Sequence, residues 1–412
     1  MNQKAAPQAA TRHSRFPAAS STQRDGSDGQ GMRVFSPPLR ALYLVSALAG
    51  VAIGLFNPLI SALLNERGVS ELGIGLNAST FFAFTLLGAP LAGRMIHRVG
   101  TRGTIAIGIV LTAIAAMQLP WWHHQLAWFA ARAVMGVGIG LYMIGGQTAL
   151  NASVSEAQRS LVGGLHALAF GVGLGVGPLL GGVLYGASPI LAFYIGGVLL
   201  LMGLPIVGKH LPTLRAHTPS PRFDFVRRLS LPLHAIFAYG VAEATLLTLY
   251  PVFLLQSGYS VSGMSFAFAA FIGGGLIGTL PLGHLADRHG RERVLAICAG
   301  VGAVATIALA FAPSLPIAAA VSLLVGASLG PVFAIALGIV GQRLSREELP
   351  GGSALFTMAF SLGSLVAPWM SALIMRELGS VHVFTLSAVL FLSLLLRLLW
   401  RRPAVALVSA EA

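Results

Sequence analysis

The chain has 412 residues, of which 55% are hydrophobic and 9% charged, with a mean hydropathy of +0.80. Soluble domains carry about a quarter of their residues as charges, so this composition excludes a soluble enzyme or binding module and demands a lipid environment. The net charge of +13 would suit a polyanion such as nucleic acid, but the placement of the basic residues reports membrane topology instead.

Residues 1–37 are rich in Ser, Gln, Gly and Ala, with scattered Arg and no apolar core. They fit neither a signal peptide nor a helix, and are expected to form a disordered cytoplasmic tail. Apolar runs of about 20 residues then recur about twelve times, each long enough to cross a hydrocarbon core about 30 Å thick as a helix. The runs lack the alternating polarity of barrel strands, so the predicted fold class is an all-α membrane protein.

The first span is predicted over 39–64 and carries Asn57-Pro58 in its outer part, where the proline removes an intrahelical bond and bends the helix. Asn57 there is either a ligand contact or a helix-to-helix hydrogen bond. The second span covers 72–96 and the third 104–119, followed by Trp121 and Trp122 as interfacial anchors. The fourth contains Arg132, which insertion scales penalise by about 2.5–3.5 kcal/mol and which should therefore face protein or water. The fifth holds the densest glycine pattern, Gly164, Gly173, Gly177-Pro178 and Gly181-Gly182, where missing side chains let two helix backbones approach. The contact is either a static tight interface or a hinge that opens and closes. The sixth span, 190–207, is almost free of polar residues, and the Pro-rich, polar stretch 209–230 reads as a cytoplasmic linker.

The seventh span, 231–256, contains Glu243, the one acid of 13 that falls in the middle of a span. A carboxylate there would lose its hydration, so the neutral acid is favoured and can exchange a proton if water reaches it. Tyr239 and Tyr250 are placed by helical spacing on the same stripe. The remaining spans are predicted over 263–285, 294–312, 315–341, 353–375 and 383–400. Lys and Arg concentrate in the N-terminal tail, at Arg94, Arg98 and Arg102, at Arg159, between Lys209 and Arg228, between Arg288 and Arg293, at Arg343 and Arg346, and from Arg397 to Arg402. The intervening loops hold only Arg67 and Arg376. This alternation puts both termini in the cytoplasm. The single cysteine, Cys298, allows no internal disulfide and reads as a small packing residue.

A shift of 190 positions aligns Gly283-His-Leu-Ala-Asp-Arg-His-Gly-Arg with Gly93-Arg-Met-Ile-His-Arg-Val-Gly-Thr, and also Gly136 with Gly326, Gly140 with Gly330, Gly173 with Gly363 and Pro178 with Pro368. The expected architecture is thus twelve transmembrane helices in two pseudo-symmetric six-helix bundles, 38–208 and 231–402, with a short cytoplasmic tail at 403–412.

Over the span from Leu39 to Arg402 these residues resemble the major facilitator superfamily. Gly283, Asp287, Arg288, Gly290, Arg291 and Arg293 look like its signature loop, which the resemblance implies to be a cytoplasmic latch. In the first half His97 replaces the acid, which would make that copy weaker or pH-sensitive. Arg132-x-x-Met135-Gly136 is similar to the family's fourth-helix motif, with Met135 in place of the usual Gln, and implies a part for Arg132 in proton movement. The glycine-proline pattern of the fifth span is similar to the motif associated with antiporters. The first span lacks the acid of many drug exporters, so coupling would fall to Glu243.

The resulting expectation is a proton-coupled exporter of a small organic molecule, a drug-like compound or metabolite, working by alternating access. Its alternative is a proton symporter taking up a nutrient or metal chelate. Asn57, Tyr142, His166, Tyr239 and Tyr250 are candidates for the substrate cavity. No metal, cofactor or nucleic acid is implied, and none of the loops outside the cytoplasm offers the acid or histidine cluster that a membrane-embedded enzyme would need. The expected setting is a bacterial inner membrane, with protons, lipids and the cargo as partners and a monomer as the resting form.

Overall fold

The structure, a computed structural model, describes residues 34–154, 158–215, 222–345 and 347–400. The expected tails before residue 34 and from 403 to 412, the pair Arg401-Arg402 and the middle of the linker lie outside the described residues. Among the described residues there is no strand. The helices are α1 (Pro37–Glu66), α2 (Glu71–Gln118), α3 (Gln125–Ala152), α4 (Arg159–Ala187), α5 (Pro189–Leu201), α6 (Gly203–His210), α7 (Ser230–Gln256), α8 (Val261–His289), α9 (Arg291–Leu309), α10 (Leu315–Arg343), α11 (Leu349–Leu378) and α12 (Thr385–Trp400).

Eleven of the described segments are long and apolar enough to cross a membrane. Two departures from the predicted spans have local causes. The second and third predicted spans are joined in α2, whose 48 residues would reach about 72 Å as one rod at 1.5 Å per residue, more than twice a hydrocarbon core. Gly100 interrupts it with φ 74 and ψ 174, a conformation only glycine adopts without strain. The sixth predicted span divides at Met202 into α5 and α6.

The 190-residue repeat seen in the text recurs in the geometry. Gly68 and Gly100 have positive φ, and so do Gly258 and Gly290. Ser70 caps α2 by accepting from the Gly73 amide, and Ser260 caps α8 by accepting from the Gly263 amide. Gly136 packs on the backbone of Phe81 and Thr85, while Gly326 packs on that of Phe271 and Gly275.

The same holds for the closest helix pairs. On α1, Gly50 and Gly54 lie against the Phe170 and Leu174 backbones of α4, and Gly173 and Gly177 of α4 lie against Ala47, Val51 and Leu55 of α1. Each glycine thus receives the ridge of its neighbour, as small residues do in membranes where no hydrophobic force drives helices together. The equivalent pair, α7 with α11, meets through Gly240 on Phe360 and Gly363 on Phe237.

One end of the molecule gathers Gly100, residues 153–154, 211–215 and 222–229, Gly290, and residues 344–345 and 347–348, with the arginines. The opposite end gathers the turns at 67–70, 119–124, Ser188, 257–260 and 379–384. There Arg67 donates to the Trp122 and Pro120 carbonyls and lies 5.4 Å from the Trp128 ring centroid, while Tyr185 donates to Glu66 at 2.7 Å. Trp121 and Trp122 are exposed, as interfacial anchors are.

Contacts between 34–210 and 230–400 run mainly through α2 with α11 and α4 with α8. They cluster toward the opposite end. Gly75 lies against Pro368 and Ala372, the Trp369 amide donates to Ser79 at 3.3 Å, and Gln256 donates to Glu71 at 2.7 Å. Gly182 lies against Ser262 and Ser265.

Candidate functional site

Helix α7 sits at the centre of the fold, packed against α1, α2, α8, α10, α11 and α12. Most of its residues are buried, which follows from a sequence apolar on every face. Glu243 and Tyr239, one turn apart, are only half-buried. On a helix packed by six neighbours, that residual surface lies among helices. The Tyr239 hydroxyl donates to Glu243 Oε1 at 3.1 Å. Among the described residues Oε2 has no hydrogen-bond partner and the carboxyl joins no ion pair.

An aromatic cluster continues the site toward the arginine-rich end. The Tyr239 ring stacks on Phe360 of α11 with centroids 6.0 Å apart and meets the edge of Phe333 of α10 at 6.2 Å. Phe333 also meets Phe356 at 5.4 Å and Phe360 at 6.1 Å. Phe356 is buried and Phe360 half-buried, whereas Phe333 stays 38% exposed although it touches three rings. Thr357 and Leu337 nearby are exposed too. These phenylalanines were invisible to the sequence reading, because a Phe in an apolar span gives no sign of which way it turns.

The other predicted site residues fall in distinct places. Arg132 is 2% exposed, with its guanidinium 4.6 Å from the Phe81 ring centroid. Its Nε and Nη1 find no acceptor among the described residues, so the ring face is the charge's principal compensation. Tyr250 keeps the stripe's side of the helix but is sealed: it is 0% exposed, bonded to Ser322 of α10 at 2.6 Å and packed on Phe384. Seven residues bring it back to nearly the azimuth of Glu243 but about 10 Å further along the axis, at a level where α10 closes against its hydroxyl. Ser322 is the repeat counterpart of Arg132, and this small hydroxyl leaves the room that the tyrosine fills.

Asn57 is buried in α1, with its backbone carbonyl accepting from Ser61. Tyr142 is buried in α3 with its hydroxyl against Ser46, whose own hydroxyl donates to the His166 carbonyl at 3.2 Å. His166 is half-buried. Ser46, missed in the sequence, therefore ties α1, α3 and α4 together beside two of the candidates.

Of the fifth-span motif, Gly173 and Gly177 make the close contact with α1, and Gly181 meets the side chains of Leu55 and Leu59. Gly182 faces α8, while nothing approaches Gly164 within 4 Å. Pro178 lies inside α4 without ending it. The partners Gly50 and Gly54 were overlooked, although their spacing of four is itself a packing signal.

At the arginine-rich end Arg291 donates to Asp287 at 2.9 Å and reaches the Gly338 carbonyl, joining the turn after α8 to α10. Gly290 supplies the positive φ of that turn. Arg288 and Arg293 are exposed, and nothing approaches a Cβ at Gly283. A second chain runs from Glu292 to Arg343 at 2.8 Å, and from Arg343 through the Arg228 carbonyl to Glu348, which Arg228 meets at 2.7 Å. The first copy of the loop is held differently: the Thr101 amide donates to Leu214 at 2.9 Å and its hydroxyl to Pro212. His97 is exposed.

A family model described as Major Facilitator Superfamily matches residues 42–260 and 233–412. An uncharacterized MFS-type transporter, YfkF, of Bacillus subtilis is 26% identical over 371 residues, covering 88% of this chain and 95% of its own. Another, of Yersinia pseudotuberculosis, is 24% identical over 377 residues, covering 89% and 97%. Among solved structures, a bacterial homolog of the human lysosomal transporter Spinster, inward-facing and occupied, aligns with TM-score 0.72 at 17% identity, covering 87% of this chain and 94% of its own. A D-xylose-proton symporter aligns with TM-score 0.73 at 15% identity, covering 87% and 96%.

Proposed function

The chain belongs to the major facilitator superfamily and is a multi-pass membrane transporter, not an enzyme, and from that membership we propose that it exports a small organic molecule in exchange for protons. Glu243 carries the proton. The observation behind this reading is the half-buried carboxyl on the central helix, held among the described residues by a single tyrosine.

Counting α2 as two spans on either side of Gly100, the chain has twelve, in two six-helix halves (38–208 and 231–402) joined by 209–230. The repeated glycine contacts support that division. The halves rock about the site between them. Their contacts at the end away from the arginines describe one extreme, closed there and open toward the basic end, which by charge asymmetry is the cytoplasm. Protonated Glu243 is neutral and tolerates the closed, dry intermediate. Cargo arriving from the cytoplasm favours the ionised form, whose proton leaves on that side; after release outside, the acid is reloaded. Arg132, buried in the other half, is the second residue assigned to proton movement. Because proton and cargo favour different states, each drives the other by reciprocal linkage. The location is a bacterial inner membrane with both termini cytoplasmic, the working unit a monomer, and the glycine-lined α1/α4 contact the element that stays packed while the halves move.

The test is transport of a compound panel into reconstituted vesicles under an imposed pH gradient. Antiport accumulates cargo on the acidic side; accumulation on the alkaline side would indicate symport. Glu243→Gln keeps the shape and the tyrosine's partner, so it should abolish gradient-driven flux without disturbing the fold, and undiminished flux in this variant overturns the role of Glu243.

A further inference from the structure

We propose that the site around Glu243 is built for an organic cation: a protonated or quaternary amine, or another delocalised lipophilic cation. The inference names the substrate class of the transport site described above and rests on that reading for its physiological meaning, though not for the binding it predicts.

Three observations converge. First, among the described residues Oε2 of Glu243 is left without a donor, while Oε1 receives only the neutral hydroxyl of Tyr239. An ionised carboxylate in that setting lacks a counter-charge, and among the described residues no lysine, arginine or histidine forms an ion pair with it. The one arginine buried in the other half is committed to the face of Phe81. The positive partner must then be the proton or the ligand, one at a time.

Second, the wall beside the carboxyl is aromatic. Tyr239, Phe333 and Phe360 come from three different helices and converge within 6.2 Å of one another by ring centroids. The π faces of such rings are negative, and a cation within about 6 Å of a centroid is attracted electrostatically, the more so when water is excluded. Third, Phe333 keeps a bare surface although it is wedged among three rings, so the cluster is not a sealed core. A carboxylate next to an open aromatic wall attracts a cation, accepts a neutral molecule weakly and repels an anion.

The experiment uses two probes of nearly equal size and opposite charge, tetraphenylphosphonium and tetraphenylborate. Equilibrium binding to the purified full chain in lipid nanodiscs is measured with protein-free nanodiscs as the blank. The wild-type protein should bind the phosphonium at least tenfold more tightly than the borate. Acidification should weaken the phosphonium, because the proton occupies the same carboxyl. Glu243→Gln should erase the charge preference. Phe333→Leu, which keeps bulk and removes the ring, should weaken the phosphonium by threefold to tenfold and leave the borate unchanged. Equal binding of the two ions to the wild-type protein, or tighter borate, overturns the proposal without the help of any variant. Charge-selective binding with no flux under a pH gradient would leave this inference standing and remove proton-coupled export. Gradient-driven flux of a neutral cargo, with equal binding of the two ions, would do the reverse.

Discussion

The contact between α1 and α4 separates glycines that look equivalent in the sequence. A Cβ on Gly177 would lie 2.7 Å from the Leu55 amide nitrogen and nearer still to the Val51 carbonyl, both backbone atoms of a long helix that cannot step aside. Accommodating even one methyl group forces the helices apart, and overpacking of this kind costs about 1–3 kcal/mol. Gly164, on the same helix and in the same motif, meets no neighbouring element among the described residues within 4 Å of the equivalent point. Alanine there only removes backbone freedom from the unfolded chain and adds about 0.5–1 kcal/mol of stability. The two substitutions should therefore differ by roughly 1.5–4 kcal/mol, in opposite directions from wild type. Unfolding of Gly177→Ala and Gly164→Ala in matched detergent, followed by heat and by denaturant, reads the difference directly. Gly177→Leu should in addition block vesicle transport while the protein still inserts. Equal stabilities for the two alanine variants would refute the assignment of the close approach to Gly177, and a stable, fully active Gly177→Leu protein would show the contact to be dispensable.

Two further outcomes are expected. Arg67 ties two loops and a tryptophan together at the end away from the arginine-rich turns, and lysine does not reproduce its planar fork. Arg67→Lys should lower stability by about 1–3 kcal/mol and loosen the turn at 119–124, read by thermal unfolding and hydrogen exchange. The Arg228 hydrogen bond holds the Glu348 carboxyl below its usual range, so the folded form binds its proton less readily than the unfolded chain. That contribution is fully present above an unfolded value of about 4.3 and disappears as the pH falls through the lower folded value. Unfolding profiles between neutral and strongly acidic pH should lose this acid-dependent component in Glu348→Gln, and an unchanged profile would show that the Arg228–Glu348 pair does not contribute.

How much of this was legible without coordinates varies from element to element. Glu243 stood out because one acid in the middle of an apolar run is conspicuous wherever it points. The turns at Gly68, Gly100, Gly258 and Gly290 obey the 190-residue repeat because positive φ is a local backbone demand that glycine alone meets cheaply. Tyr250, by contrast, shares the Glu243 side of the helix yet is sealed against Ser322, since the free volume on α10 is not a local property. The phenylalanines beside Tyr239 carried no signal at all: in a chain that is 55% hydrophobic, another Phe is background.

Local chemistry thus determined the lipid setting, the order of the apolar runs, the charge asymmetry between the two ends, and the repeat at 190 residues. Hydropathy, charge and glycine act over a few residues, so a linear text can hold them. Tertiary packing alone decided that Gly50 and Gly54 receive α4, that Gly164 touches nothing, and that the aromatic rings of three helices meet beside Glu243. When every face of a helix is apolar, its rotation is set by the fit of its neighbours rather than by a polar side seeking water.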